Sequence, residues 1–119
     1  MSDGPSAAER KAAWDAQNIY PAAYKAEILA YFRTYLNDLG KIRGAYVSEP
    51  ALKQLALGDR YVVCVRFSPG TPGAEGEAAS KDRSAIFISG KLDRVLERSE
   101  KACAEAAFAP FPEMERLSR

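Results

Sequence analysis

At 119 residues the chain has the size of one domain, and its apolar content of 47% argues against global disorder. Seventeen basic and sixteen acidic residues leave a formal charge of +1, which supplies no net field to attract nucleic acid or an anionic membrane. No run approaches the roughly 18 to 20 apolar residues of a membrane span, so the sequence predicts no transmembrane segment.

The chain is expected to divide into a short N-terminal segment and one domain. Residues 1–18 are expected to be flexible, although Ser6 and Glu9 have the spacing of a capping box and can begin a short helix through Asp15. Residues 19–119 are expected to form a single α+β domain.

An amphipathic helix is the first predicted element of this domain, with Pro21 in its first turn and its end at Gly40. The tyrosines of its apolar face, together with Trp14 and Tyr20 just upstream, suit either a core that covers a sheet or an aromatic binding patch, and the core is favoured. Apolar residues recur at spacings of three and four: Tyr24, Ile28, Leu29, Tyr31, Phe32, Tyr35, Leu36 and Leu39.

Three or four antiparallel strands are predicted to follow the helix. The clearest covers residues 61–67, where apolar side chains on both faces indicate a central position in the sheet. Residues 83–89 and 91–97 flank Gly90 and have the pattern of a tight hairpin. The other stretches are predicted to be a strand (42–48), a connection with a helical turn (51–59), and a long loop rich in Gly and Pro (68–82).

A C-terminal helix is predicted over residues 100–108, with Ser99 as its N-cap and with Pro110 and Pro112 ending it. The predicted fold is therefore α+β, with an N-terminal amphipathic helix, an antiparallel sheet of three to four strands and a C-terminal helix.

The two cysteines are expected to form a disulfide. Cys64 lies on the central strand and Cys103 on the predicted C-terminal helix, and a bridge between them closes a ring whose loop entropy is worth about 4 kcal/mol. The alternative is two separate buried thiols. A redox-active pair is disfavoured, because catalytic dithiols usually lie two residues apart near a helix N-terminus. A disulfide implies an oxidising compartment.

The sequence contains no histidine, which excludes Ser-His-Asp and Cys-His catalysis and histidine metal ligands. Neither a P-loop nor a dinucleotide fingerprint is present. Glu75, Glu77 and Asp82 lie in the predicted loop, where nothing holds two carboxylates at a productive separation. The chain is therefore expected to be non-enzymatic, with no cofactor and no metal.

A candidate binding surface lies on and beside the predicted hairpin. Basic residues there are interleaved with acidic ones, which favours a mixed solvated face, so no nucleic acid is expected as a partner and weak anion or nucleic-acid binding stays an alternative. The candidate residues are Arg66, Arg83, Phe87, Lys91 and Arg94.

The layout resembles small uncharacterised proteins of the proteobacterial envelope, many of them rhizobial, including periplasmic proteins and lipoproteins. These carry a helix ending in a leucine and an Asn/Asp turn, and then a strand of the Tyr-x-Val-Cys type. The resemblance implies a mature α+β domain in the periplasm or cell envelope that lacks its signal peptide, with the cytoplasm as the alternative location. The matching stretches are residues 24–38, 48–52, 60–67 and 85–93.

Three functions are open at this point. The first is a non-enzymatic envelope domain that binds another envelope component through its sheet or the 68–82 loop, and this hypothesis predicts one exposed apolar patch. The second is a small-ligand binder or histidine-free enzyme, which predicts a deep pocket where Arg66, Arg83 and Tyr61 converge. The third is weak binding of nucleic acid or another anion. The oligomeric state is left open.

Overall fold

The structure is a computed structural model that describes residues 6–35, 42–56, 58–68, 81–97, 99 and 101–117. The elements are, in chain order, α1 (Ala7–Gln17), α2 (Tyr24–Tyr35), β1 (Arg43–Ser48), β2 (Ala51–Leu55), β3 (Gly58–Ser68), β4 (Lys81–Ile88), β5 (Lys91–Leu96), β6 (Phe108–Pro110) and α3 (Pro112–Glu115). The α+β class is confirmed, and every pairing among the described strands is antiparallel.

Helix α1 begins at the predicted capping box. The Ser6 hydroxyl accepts from the Glu9 amide, and the Glu9 carboxylate accepts from the Ser6 amide. The helix is anchored at its far end, where the Ser89 amide donates to the Gln17 carbonyl over 2.8 Å. The division between a flexible segment 1–18 and the domain stays a prediction.

Strand β3 is the centre of the sheet, as its two apolar faces predict. Strand β4 pairs with one side of it along most of its length, and β1 and β2 share the other side, so the order is β5-β4-β3-β1-β6 with β2 also on β3. Residues 43–55 thus form one long hairpin with β3, interrupted at Glu49 and Pro50. Strand β6 adds outside β1 only.

The main core lies between one face of the sheet and α2. Ile28 and Phe32 of the helix are fully buried, and the Phe32 ring meets Phe67 of β3 edge-on at a centroid distance of 5.2 Å. One end of this layer is closed by the segment around α3, where the Phe111 amide donates to the Ala45 carbonyl over 2.8 Å.

The opposite face of the sheet carries the disulfide. Cys64 of β3 and Cys103 are bonded, with their Cα atoms 5.9 Å apart, which confirms the predicted pairing. Both residues are buried. The Cys64 amide donates to the Ser48 hydroxyl over 2.8 Å, so a side chain satisfies this donor where the ladder between β1 and β3 is interrupted.

Two predicted elements are wrong. Residues 51–55 form strand β2 rather than a helical turn, and residues 108–110 form β6. The sheet therefore has six strands among the described residues instead of three or four. The C-terminal helix predicted over 100–108 is not formed in its described part, residues 101–108: a turn begins at Ser99, and the chain then enters β6. Tertiary contacts override local helix propensity here, because Cys103 is bonded to β3 and residues 108–110 pair with β1. The only C-terminal helix among the described residues is the short α3.

Two other predictions fall on residues outside the described ranges. These are the end of the predicted amphipathic helix at Gly40 and residues 69–80 of the predicted 68–82 loop. The ends of that loop were predicted wrongly, because Ser68 belongs to β3 and Lys81 and Asp82 belong to β4.

Candidate functional site

Arg66 is the first of the predicted binding residues, and it lies on the disulfide face. Its Nε and Nη2 atoms donate to the two carboxylate oxygens of Asp82 over 2.6 and 3.1 Å. The guanidinium carbon also lies 4.1 Å from the centroid of the Phe108 ring. The hydrogen bond to the carboxylate raises the pKa of Arg66. The charge of Arg66 is therefore engaged within the fold, where it joins β3, β4 and β6.

Arg83 lies on the opposite face of the sheet, among the core residues. Its guanidinium stacks 4.4 Å from the centroid of the Phe67 ring, and its Nε donates to Glu97 over 2.8 Å. Its Nη1 is buried and has no hydrogen-bond partner. Tyr61 shares this face but lies at the other end of β3. The structure therefore does not bring Tyr61, Arg66 and Arg83 together in one pocket.

The remaining predicted residues are also separated. Phe87 is 1% exposed and belongs to the core. Lys91 is exposed and lies 3.9 Å from the Glu27 carboxylate, while Arg94 pairs with Asp93 beside it on β5. The five residues predicted as a binding surface do not form one surface, and their binding role stays a prediction.

A different surface gathers large apolar side chains, and we call it the aromatic patch. The Tyr20 ring meets Tyr61 edge-on at a centroid distance of 5.4 Å, and Leu52 lies directly opposite Tyr61 in the β2–β3 ladder. Four members of the patch are between 40% and 53% exposed, whereas Tyr61 is partly buried. The patch consists of Trp14, Ile19, Tyr20, Leu52 and Tyr61.

The patch is held in place by contacts between the N-terminal segment and the sheet. The Trp14 indole N–H donates to the Asp59 carboxylate over 3.0 Å, and its backbone carbonyl accepts from the Asn18 side chain, also over 3.0 Å. Ile19 packs on Gly90 of the β4–β5 turn, where a Cβ atom would lie 3.5 Å from its Cγ2. That contact would be an ordinary van der Waals distance, so Gly90 is favoured here by its φ of +77° and not by a lack of space. The aromatic patch is therefore pre-organised.

A groove of about 660 Å³ lies beside β2, and its lining includes none of the patch residues. Tyr24 lines the groove, and burial first and Tyr24 second raise the pKa of Tyr20. Partial burial raises the pKa of Tyr24, and the negative charge of Glu49 raises it further. The lining also includes Lys25, Lys53 and Glu105, so it carries both signs of charge.

The sequence indicated part of this site. Trp14 and Tyr20 were named as possible members of an aromatic binding patch, although a core role was favoured for them. At 40% and 49% exposed, they are not core residues. Ile19 and Leu52 gave no such signal, since the exposure of Leu52 depends on β2 being an edge strand rather than a helical turn.

Comparisons of the chain with family models, with curated proteins and with solved structures give no match, so no relative supplies a function for this surface. Within the described ranges, no helix has the length and apolar character needed to cross a membrane. In the same ranges, no three Cys, Asp or Glu side chains are grouped as metal ligands.

Proposed function

We propose that this protein is a non-enzymatic binding domain of the bacterial envelope that docks another envelope protein on its aromatic patch. The observation that carries the proposal is the exposure of Tyr20 and Leu52, at 49% and 44%, beside Tyr61, with the exposed Trp14 and Ile19 on the adjoining N-terminal segment. Contiguous exposed apolar surface commonly marks an interaction site, and Trp and Tyr dominate interface hot spots.

Pre-organisation of the patch also supports a binding role. Hydrogen bonds join the Trp14 indole to Asp59 of β3 and the Gln17 carbonyl to Ser89 of the β4–β5 turn. Because these contacts already position the N-terminal segment, less conformational entropy is lost when a partner binds. The Cys64–Cys103 bond supports location in an oxidising compartment, and the bacterial periplasm is one.

A matched pair of leucines tests the proposal. Leu52 in the patch and Leu96 on the other face are 44% and 45% exposed, so replacing either by serine removes similar apolar surface. The immobilised wild-type domain and the L96S variant should retain the same envelope protein saturably, and L52S should lose it. Circular dichroism checks that both variants fold. Equal retention by L52S and L96S would refute a docking role for the patch.

A further inference from the structure

The outer edge of β2 is an open position in the sheet. Strand β6 lies beside β1, but in the described part of the chain no strand pairs with the corresponding edge of β2. Residues 51–54 are all exposed. The groove lies at this position, and Glu49, Ala51, Lys53 and residues 105–109 all line it. An added strand beside β2 would therefore run in line with β6.

The register identifies which backbone groups face this open position. Leu55 pairs with Gly58 across the turn, and the pair that closes a two-residue hairpin exchanges hydrogen bonds. Hydrogen-bonded pairs alternate along an antiparallel ladder, so the amides and carbonyls of Leu52 and Gln54 point away from β3. These are the groups that an additional strand would bind.

The opposite edge of the sheet is protected. The outward Leu92 amide of β5 donates to the Glu27 carboxylate over 2.8 Å, so a helix side chain already occupies this edge position. Natural proteins cover sheet edges in such ways to prevent unwanted pairing. The exposed edge of β2 carries no equivalent cap from the described residues, so its outward backbone groups are available to a partner strand.

Charge on β2 indicates what kind of strand fits. Lys53 lies directly opposite Arg60 in the ladder, and like charges in this position repel. Neither cation has a carboxylate partner within the described ranges. Two copies of this chain pairing through β2 would bring four such cations together, whereas a strand with a carboxylate beside Lys53 would neutralise them. The other face of the same strand meets Leu52 and Tyr61 of the aromatic patch.

We propose that the edge of β2 accepts an extended segment of the partner protein as an additional strand, with acidic side chains beside Lys53 and apolar side chains beside Leu52. This inference rests on the proposed function and specifies the partner segment as one that alternates acidic and apolar residues. The backbone provides affinity, and the alternation provides register and specificity.

The first test uses short capped peptides and nuclear magnetic resonance. A peptide that alternates glutamate and valine should shift the amide signals of Leu52, Lys53 and Gln54, and a peptide that alternates lysine and valine should not. K53E should weaken binding of the glutamate peptide by at least about fivefold. K101E makes the same charge change on an exposed residue that does not line the groove, and it should leave binding intact. Absence of binding, or equal binding of both peptides, would overturn the inference.

The second test removes the edge donor itself. Q54P deletes an amide that faces outward, so the β2–β3 ladder is kept and strand addition is lost. A glutamate peptide N-methylated along one edge should also fail to bind the unmodified protein, which makes the test independent of how the proline variant folds. Peptide binding that survives both changes would contradict strand addition by a partner. A mass measurement that shows a dimer paired through this edge would also contradict it. If only this mode fails, L52S still loses the envelope protein and Q54P still retains it.

Discussion

Reduction of the disulfide should remove a large part of the domain's stability. Cys103 is the only buried residue of the segment 101–107, so the bond to Cys64 is the main anchor of this segment on the sheet. The bond joins residues 39 positions apart, and loop entropy for a ring of that size is worth about 4 kcal/mol. Domains of this size are stable by only about 5 to 15 kcal/mol. For 119 residues the loss corresponds to a fall in melting temperature on the order of 15 °C.

Urea unfolding followed by circular dichroism, with and without reductant, measures this loss directly. Hydrogen exchange adds a local measurement, because the Cys103 and Ala106 amides, which donate to Ser99 and Cys103 carbonyls, should exchange faster in the reduced protein. The C64A/C103A double variant should resemble the reduced form and be insensitive to reductant. A loss below about 1 kcal/mol, with unchanged exchange in this segment, would refute the view that the bond holds the segment in place.

Three other predictions concern single side chains. F87A should cost about 3 to 5 kcal/mol in urea unfolding because Phe87 is a core residue, while R94A on the exposed face of β5 should change stability by less than about 0.5 kcal/mol; similar values would contradict this assignment. R66A should cost about 1 to 3 kcal/mol by the same assay, since it leaves a buried carboxylate unpaired, and a neutral effect would show that the ion pair is dispensable. E49Q should lower the pKa of Tyr24 toward its ordinary value near 10 in an ultraviolet titration. Because the pKa of Tyr24 is raised in the folded state, the stability linked to its protonated phenol is fully present below pH 10 and is lost as the pH rises through the folded-state pKa. An unchanged titration in E49Q would contradict the assigned charge effect.

Much of the fold follows from patterns within single segments. Apolar residues at helical spacing predicted α2, and two apolar faces predicted the central position of β3. Ser89 and Gly90, both with positive φ, form the predicted turn between β4 and β5. The disulfide followed from having only two cysteines, each on an inward face.

The errors have a common cause, since each depends on contacts between distant segments. Residues 100–108 have helix propensity, but the bond to Cys64 and the pairing of Phe108 with Ser48 determine their path. Strand β2 has an exposed, mixed sequence whose strand conformation comes from its ladder with β3. The aromatic patch combines α1, the segment before α2 and this ladder, so no local pattern contains it.

Site-specific photo-cross-linking in intact cells tests the central claim most directly. A photoreactive residue at position 20 lies in the aromatic patch, and one at position 96 lies at a similarly exposed place on the other face. We predict one discrete adduct with an envelope protein from position 20, lost on adding L52S, and no such adduct from position 96. Equal adducts from both positions, or an adduct from position 96 alone, would contradict docking at the aromatic patch.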